Sequence, residues 1–215
     1  MIFNYSYMCT LTVCFFLGTC FFYFLNKDTK IIWLLVFVTF VVEWLGFYNK
    51  HIADEHLIKP ILYQLFSPVE ALLFCAYFVK ILKTKSFINI VYILVFIAII
   101  IFTLDLLKNR FISLQNFKYY LLPIIFYVLF SILYLKELLD SSLDINSNPN
   151  FWIVTGILFF YSGFFFLSGF INFIAEKDLP LAKKLYSINH ILNIIYYSLI
   201  TYGFICQRRL AKSSL

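Results

Sequence analysis

Charge is what this chain has least of. Only 13% of its 215 residues are Asp, Glu, Lys or Arg, about half of the roughly 25% usual in a soluble domain. With 63% hydrophobic residues and a mean hydropathy of +0.90, that deficit excludes a water-soluble globule. The excess apolar surface has to face lipid. A clustered basic face is also missing. The 17 Lys and Arg outnumber the 11 Asp and Glu, for a net charge of +6, but they stand singly or in twos and threes between apolar runs. Direct nucleic-acid binding is therefore not expected, and the basic residues read as flanking anchors that meet lipid headgroups. There is no CxxC pair, and the cysteine count is odd. Cys9, Cys14, Cys20, Cys75 and Cys206 all lie inside apolar runs, which argues against a disulfide or zinc framework and for small apolar side chains. No Lys or Arg precedes Lys27, so the first apolar run lacks the basic start of a removable signal peptide and is expected to remain as a membrane helix. Internal repeats, low-complexity tracts and soluble segments are absent too.

What is present is a succession of apolar runs. A membrane span needs about 20 mostly apolar residues at a rise of 1.5 Å each. Seven segments qualify: roughly 7–25, 31–49, 61–79, 87–107, 119–135, 151–174 and 185–206. The expected fold is all-α, a polytopic integral membrane protein with seven transmembrane helices forming one domain over 1–215. Pro60 suits the first turn of the third helix, and Pro149-Asn150 stands just before the sixth. Seven spans put the termini on opposite faces. The basic residues divide almost evenly between the two sets of loops, so the positive-inside rule alone barely discriminates. The uncharged start of the chain and the Arg208-Arg209 pair beyond the last span place the N-terminus outside and the C-terminus in the cytoplasm. The expected location is the inner (plasma) membrane, crossed many times. The wealth of Phe, Tyr, Ile, Asn and Lys is typical of an AT-rich, bacterial coding sequence.

A charge near the bilayer centre costs about 2.5–3.5 kcal/mol on insertion scales, so such residues mark sites. Two carboxylates fall inside spans. Projection along the helices puts Glu70 near the midplane and Glu43 about 4–5 Å beyond it, toward the loop joining the second and third spans. Asn172, Asn189, His190 and Asn193 project to the same half of the membrane. Tyr63, Ser67, Glu70, Phe74 and Tyr77 follow steps of three and four, and Asn189, Asn193 and Tyr197 make a second stripe at i, i+4, i+8. Glu43, Tyr63, Glu70, Asn172, Asn189, His190, Asn193 and Tyr197 are the candidate ligand pocket, open to the non-cytoplasmic side and covered by the loop carrying His51, Asp54, Glu55 and His56. Pro68 leaves the Gln64 carbonyl without its helical partner and should kink the third helix beside Glu70. Each feature has a structural alternative: a packing kink for Pro68, an interfacial position beside Trp44 and Tyr48 for Glu43, and interhelical hydrogen bonding for the asparagines. The line Thr155, Ser162, Gly169, with Gly156 and Gly163 beside it, is expected to be a close helix-packing seam.

Three classes of function compete. An intramembrane metal-dependent lipid hydrolase needs three protein ligands and an open water position. The seven-helix ceramidase and adiponectin-receptor superfamily carries HxxxH on its last helix, where this chain has Asn189-His190-Ile-Leu-Asn193. A retinal protein needs a lysine within the seventh helix, and none is there. A small proton- or cation-coupled transporter could use Glu70 beside Pro68, but the broken helix pairs and repeated halves of such proteins are missing. A non-catalytic sensory or accessory module needs only a polar pocket and a short basic tail, and both are present. The combination of Glu43, Ser67-Pro68-Val69-Glu70 and Asn189-x-x-x-Asn193-Ile-Ile-Tyr-Tyr loosely resembles small seven-helix bacterial membrane proteins of unknown activity, some encoded beside signalling kinases. That resemblance implies a sensory or accessory role with a signalling or effector protein as partner. A membrane component of a bacterial antiviral system is an accessory role of the same kind. No catalytic residue, metal or cofactor is expected.

Overall fold

Long apolar runs leave the backbone one local way to satisfy its own N–H and C=O groups, the helix. The computed structural model describes residues 2–51, 58–109, 118–141, 144–175 and 177–213, and among these it holds seven α-helices and no strand. They are α1 (Ile2–Cys20), α2 (Lys27–His51), α3 (Ile58–Ile81), α4 (Lys85–Asn109), α5 (Lys118–Leu139), α6 (Pro149–Ala175) and α7 (Leu179–Ser213), with a 3-10 turn at Phe22–Phe24 after α1. Among the described residues, two helical stretches are long and apolar enough to cross a membrane, Lys27–Asn49 and Pro149–Ala175, and Tyr5–Cys20 and Lys85–Ile97 are shorter apolar stretches. The loop residues Asp54, Glu55 and His56 and the side chain of His51 lie outside the described part.

Helix ends follow capping chemistry. Pro149 opens α6, where its missing N–H is no loss, and Asn148 Oδ1 accepts from the Asn150 N–H at 2.9 Å. Ahead of it, Asp144 accepts from the Asn146 N–H at 3.2 Å and the Ser147 hydroxyl at 2.6 Å, which shapes the preceding turn. At the start of α7, Asp178 Oδ1 accepts from the Leu181 N–H at 3.0 Å. This N-cap starts the helix at Leu179, so α7 extends beyond the apolar run at 185–206 in both directions. Its polar ends are helical without being apolar.

The chain forms two compact units, one made of Met1–Asn26 with Ile124–Leu215 and the other of Lys27–Pro123. In the first, α6 packs antiparallel to α7 along a glycine seam. A Cβ on Gly156 would lie 3.2 Å from Leu199 Cβ, one on Gly163 2.8 Å from Leu192 Cδ2, and one on Gly203 2.7 Å from Ile153 Cγ1 and 3.1 Å from the Pro149 carbonyl oxygen. The small-residue line expected from the sequence thus divides: Gly156 and Gly163 make the seam, whereas Gly169 has nothing within 4 Å of an added Cβ. Phe160 stacks on Tyr196 at 5.1 Å, and Tyr127 meets Tyr161 edge-on at 4.8 Å, which joins α5 to α6. Along α1 and α7 the numbers rise together. Tyr7 meets Tyr197, Cys14 lies beside Thr201, and Phe21 lies under Arg208, so these two helices run parallel.

In the second unit, α3 packs on both α2 and α4. Its core is Ile32, Leu35 and Val36 of α2, Phe74, Tyr77 and Phe78 of α3, and Val91 of α4. Pro68 lies inside α3, which continues through it to Ile81. Large apolar side chains also point away from the rest of the chain. Phe159, Phe166, Phe170 and Phe173 form one outward stripe on α6, with Phe166 and Phe170 each 63% exposed. Tyr92, Ile93, Phe96, Ile97, Ile99 and Ile100 do the same on α4. A soluble monomer rarely leaves faces of this kind uncovered.

Candidate functional site

Many hydroxyl groups within these helices bond their own backbone, although that of Thr155 is buried and unbonded. Thr12 donates to the Met8 carbonyl, Thr39 to Leu35, Ser131 to Tyr127, Ser162 to Leu158 and Thr201 to Tyr197, each at 2.6–2.8 Å and four residues back. Asn193 uses the same device, with Nδ2 donating to the Asn189 carbonyl at 2.8 Å. Like the Thr155 hydroxyl, the buried side-chain oxygen of Asn189 accepts no hydrogen bond. Asn189 is 9% exposed and so is Asn193. An amide oxygen left unbonded in such a setting costs about 1–3 kcal/mol.

The aromatic rings beside this turn of α7 come from α1 and from α7 itself. His190, the next residue, has the Tyr7 ring at 5.9 Å and the Tyr186 ring edge-on at 5.7 Å. Tyr7 also meets Tyr197 at 6.1 Å, and Tyr197 meets Tyr196 at 4.8 Å. Positions 190, 193 and 197 lie on successive turns of one face of α7. Tyr7 therefore borders the turn that carries Asn193. Tyr7, Tyr196 and Tyr197 are buried. The imidazole of His190 thus lies beside phenol rings of α1 and α7, with the carboxamides of Asn189 and Asn193 on the same and the next turn of the helix. Of the residues expected here, the structure brings together Asn189, His190, Asn193 and Tyr197. Asn172 lies in α6, and its side chain is outside the described part.

Glu43, Tyr63, Glu70 and Pro68 belong to the other unit. Tyr63 Oη donates to Glu43 Oε1, so a carboxylate on α2 and a phenol on α3 are joined directly. Both are half-buried, as is Glu70. Glu70 lies two turns beyond Tyr63 on the same face of α3, about 10 Å along the axis, on the stripe that continues to the buried Phe74 and Tyr77. Among the described residues, no three His, Cys, Asp or Glu side chains gather as a metal would require.

Sequence reasoning missed Tyr7 and Tyr186. A tyrosine near the start of an apolar run reads as an interfacial anchor, and nothing local announces that Tyr7 closes over α7. It also missed the seating of Arg208 on Phe21, where the guanidinium carbon lies 4.4 Å from the ring centroid. That contact depends on the parallel pairing of α1 with α7.

No protein-family model, curated protein or solved structure matches the chain. Fold and site together define an all-helical protein with helices long and apolar enough to cross a membrane and a buried polar group on its longest helix.

Proposed function

We propose that this chain is a seven-span protein of the inner (plasma) membrane, N-terminus outside and C-terminus in the cytoplasm, serving as a non-catalytic sensory or accessory module. A ligand or a partner's side chain binds at Asn189, His190 and Asn193 between the rings of Tyr7, Tyr186 and Tyr197. The carrying observation is the buried, unbonded Asn189 Oδ1, which stands on the same helix turn as His190 and next to the turn of Asn193. A buried polar atom with no partner in its own chain is one mark of a site whose partner comes from outside. Two features support the membrane reading. In a chain whose consecutive helices alternate in direction, the first and seventh run parallel, as α1 and α7 do. The outward phenylalanine and isoleucine stripes of α6 and α4 suit lipid.

The test replaces Asn189 by leucine, close in size and apolar. If Asn189 serves a ligand, Asn189→Leu leaves the thermal stability of the purified protein unchanged or raises it by about 1 kcal/mol. Native mass spectrometry then shows loss of the small molecule, or chemical crosslinking in native membranes loss of the partner, that the unaltered protein retains. A fall in stability of more than about 1 kcal/mol would mark the amide as structural and remove the reading. Metal analysis separates the enzymatic class: one zinc per chain, lost on His190→Ala, would transfer the protein to the hydrolases.

A further inference from the structure

A second polar feature lies at the other end of α7, away from the Asn189 group and independent of it. Arg208 projects from α7 onto Phe21, where α1 gives way to the 3-10 turn, with its guanidinium 4.4 Å above the ring. The contact fixes the plane of the guanidinium but uses none of its N–H groups. Arg208 Nε is buried and donates to nothing in the chain. Arg209 and Lys212 stand beside it, both exposed, and Lys212 shares the Arg208 face at i+4. Among the described residues, no carboxylate pairs with any of the three.

Arg208, seated on its ring with a buried donor unused, and Lys212 on the same helix face, with no carboxylate paired to either among the described residues, call for an anion. The planar fork of a guanidinium matches two oxygens of a carboxylate or phosphate. Phosphate is favoured over carboxylate because its remaining oxygens can also accept from Arg209 and Lys212. The level in the structure fits as well. Phe204 is fully buried and Cys206 nearly so, the charged residues begin at Arg208, and the apolar run of α1 ends opposite, at Phe21–Phe24. We propose that Arg208, seated on Phe21 with Arg209 and Lys212 beside it, forms a binding site for a phosphate oxyanion, carried either on a phospholipid headgroup or as free phosphate.

Protein reconstituted in nanodiscs of equal parts phosphatidylcholine and phosphatidylglycerol, then released into native mass spectrometry, reads the lipid that stays bound. The unaltered protein retains phosphatidylglycerol. Arg208→Ala lowers retention about tenfold, the equivalent of one charge-assisted hydrogen-bonded contact. Arg208→Lys, which keeps the charge and loses the fork, and Phe21→Leu, which loses the seat, each lower it by a smaller factor, and Arg209→Gln changes it least. In lipid-free detergent, a rise in thermal midpoint with inorganic phosphate that disappears in Arg208→Lys would support the site and assign it to the free anion. If Arg208→Lys matches the unaltered protein in both experiments, or Arg209→Gln weakens retention as much as Arg208→Ala, only diffuse charge is at work and the proposal falls. The lysine variant carries the test should the alanine variant fail to fold.

Discussion

Tyr63 and Glu43 make a hydrogen bond between side chains of different helices, and its worth can be stated before it is measured. Bonds to a charged group contribute about 1.5–3 kcal/mol when buried and less when water competes. With both partners half-buried, Tyr63→Phe should destabilise the protein by about 1 kcal/mol. Glu43→Gln keeps an acceptor oxygen and should cost less. Combining the two should cost less than the sum, because the second change removes a group already deprived of its partner. Unfolding curves in mixed micelles for the four proteins of this cycle check it, and strict additivity would mean that the bond contributes nothing. The two residues lie on different apolar runs, and only the antiparallel pairing of α2 with α3 sets them opposite each other.

At the scale of the element, the glycines of the α6 and α7 pair separate packing from propensity. Alanine at Gly203 would place a Cβ 2.7 Å from Ile153 Cγ1 and 3.1 Å from the Pro149 carbonyl oxygen, which cannot give way without moving the start of α6. Gly203→Ala should therefore cost about 1–3 kcal/mol. Gly163→Ala meets only the tip of Leu192, at 2.8 Å, and a small rotation of that side chain relieves the overlap, so its cost should stay below that of Gly203→Ala. Gly169→Ala meets nothing within 4 Å and should be neutral or stabilising by up to about 1 kcal/mol, the gain in helix propensity. Thermal midpoints of the three variants should fall in that order, and a Gly169→Ala variant less stable than Gly203→Ala would contradict the seam. Composition shows small residues recurring along α6. It cannot say which of them meet a neighbour, because Gly156 and Gly169 look alike until α7 is set against one face.

For the molecule as a whole, orientation is the property most open to direct measurement. Cys20 is exposed at the end of α1, beside the Phe21 that seats Arg208, whereas Cys14 and Cys206 are buried. Thiol labelling needs water and thiolate. In the proposed orientation, a variant retaining Cys20 alone should react with a membrane-impermeant maleimide in inverted vesicles and not in right-side-out ones. The reverse pattern would turn the protein over and place the Arg208 group on the outer face. A phosphatase fused after Leu215 gives an independent readout and should be inactive.

Helical class and the approximate position of every apolar segment were legible in the amino-acid order alone, because hydropathy and the backbone's need for hydrogen bonds are local properties summed over about 20 residues. The Asn189-x-x-x-Asn193 stripe on one helix face was legible for the same reason, since a period of 3.6 residues needs no knowledge of neighbours. The cap at Asp178 was passed over, because an apolar-run criterion starts α7 late, at 185 instead of Leu179. Tertiary structure alone decided the pairings: Tyr7 over His190 and Tyr197, Tyr63 on Glu43, Gly203 against Ile153, Phe21 under Arg208. Each joins residues far apart in the chain, and whether they meet depends on the direction and register of two packed helices. A shift of one residue turns a helical side chain by about 100°, enough to carry Tyr7 away from α7 or Arg208 off its ring. Whether the oxygen of Asn189 finds a donor was settled at the same level, by which side chains the fold brought within reach of it.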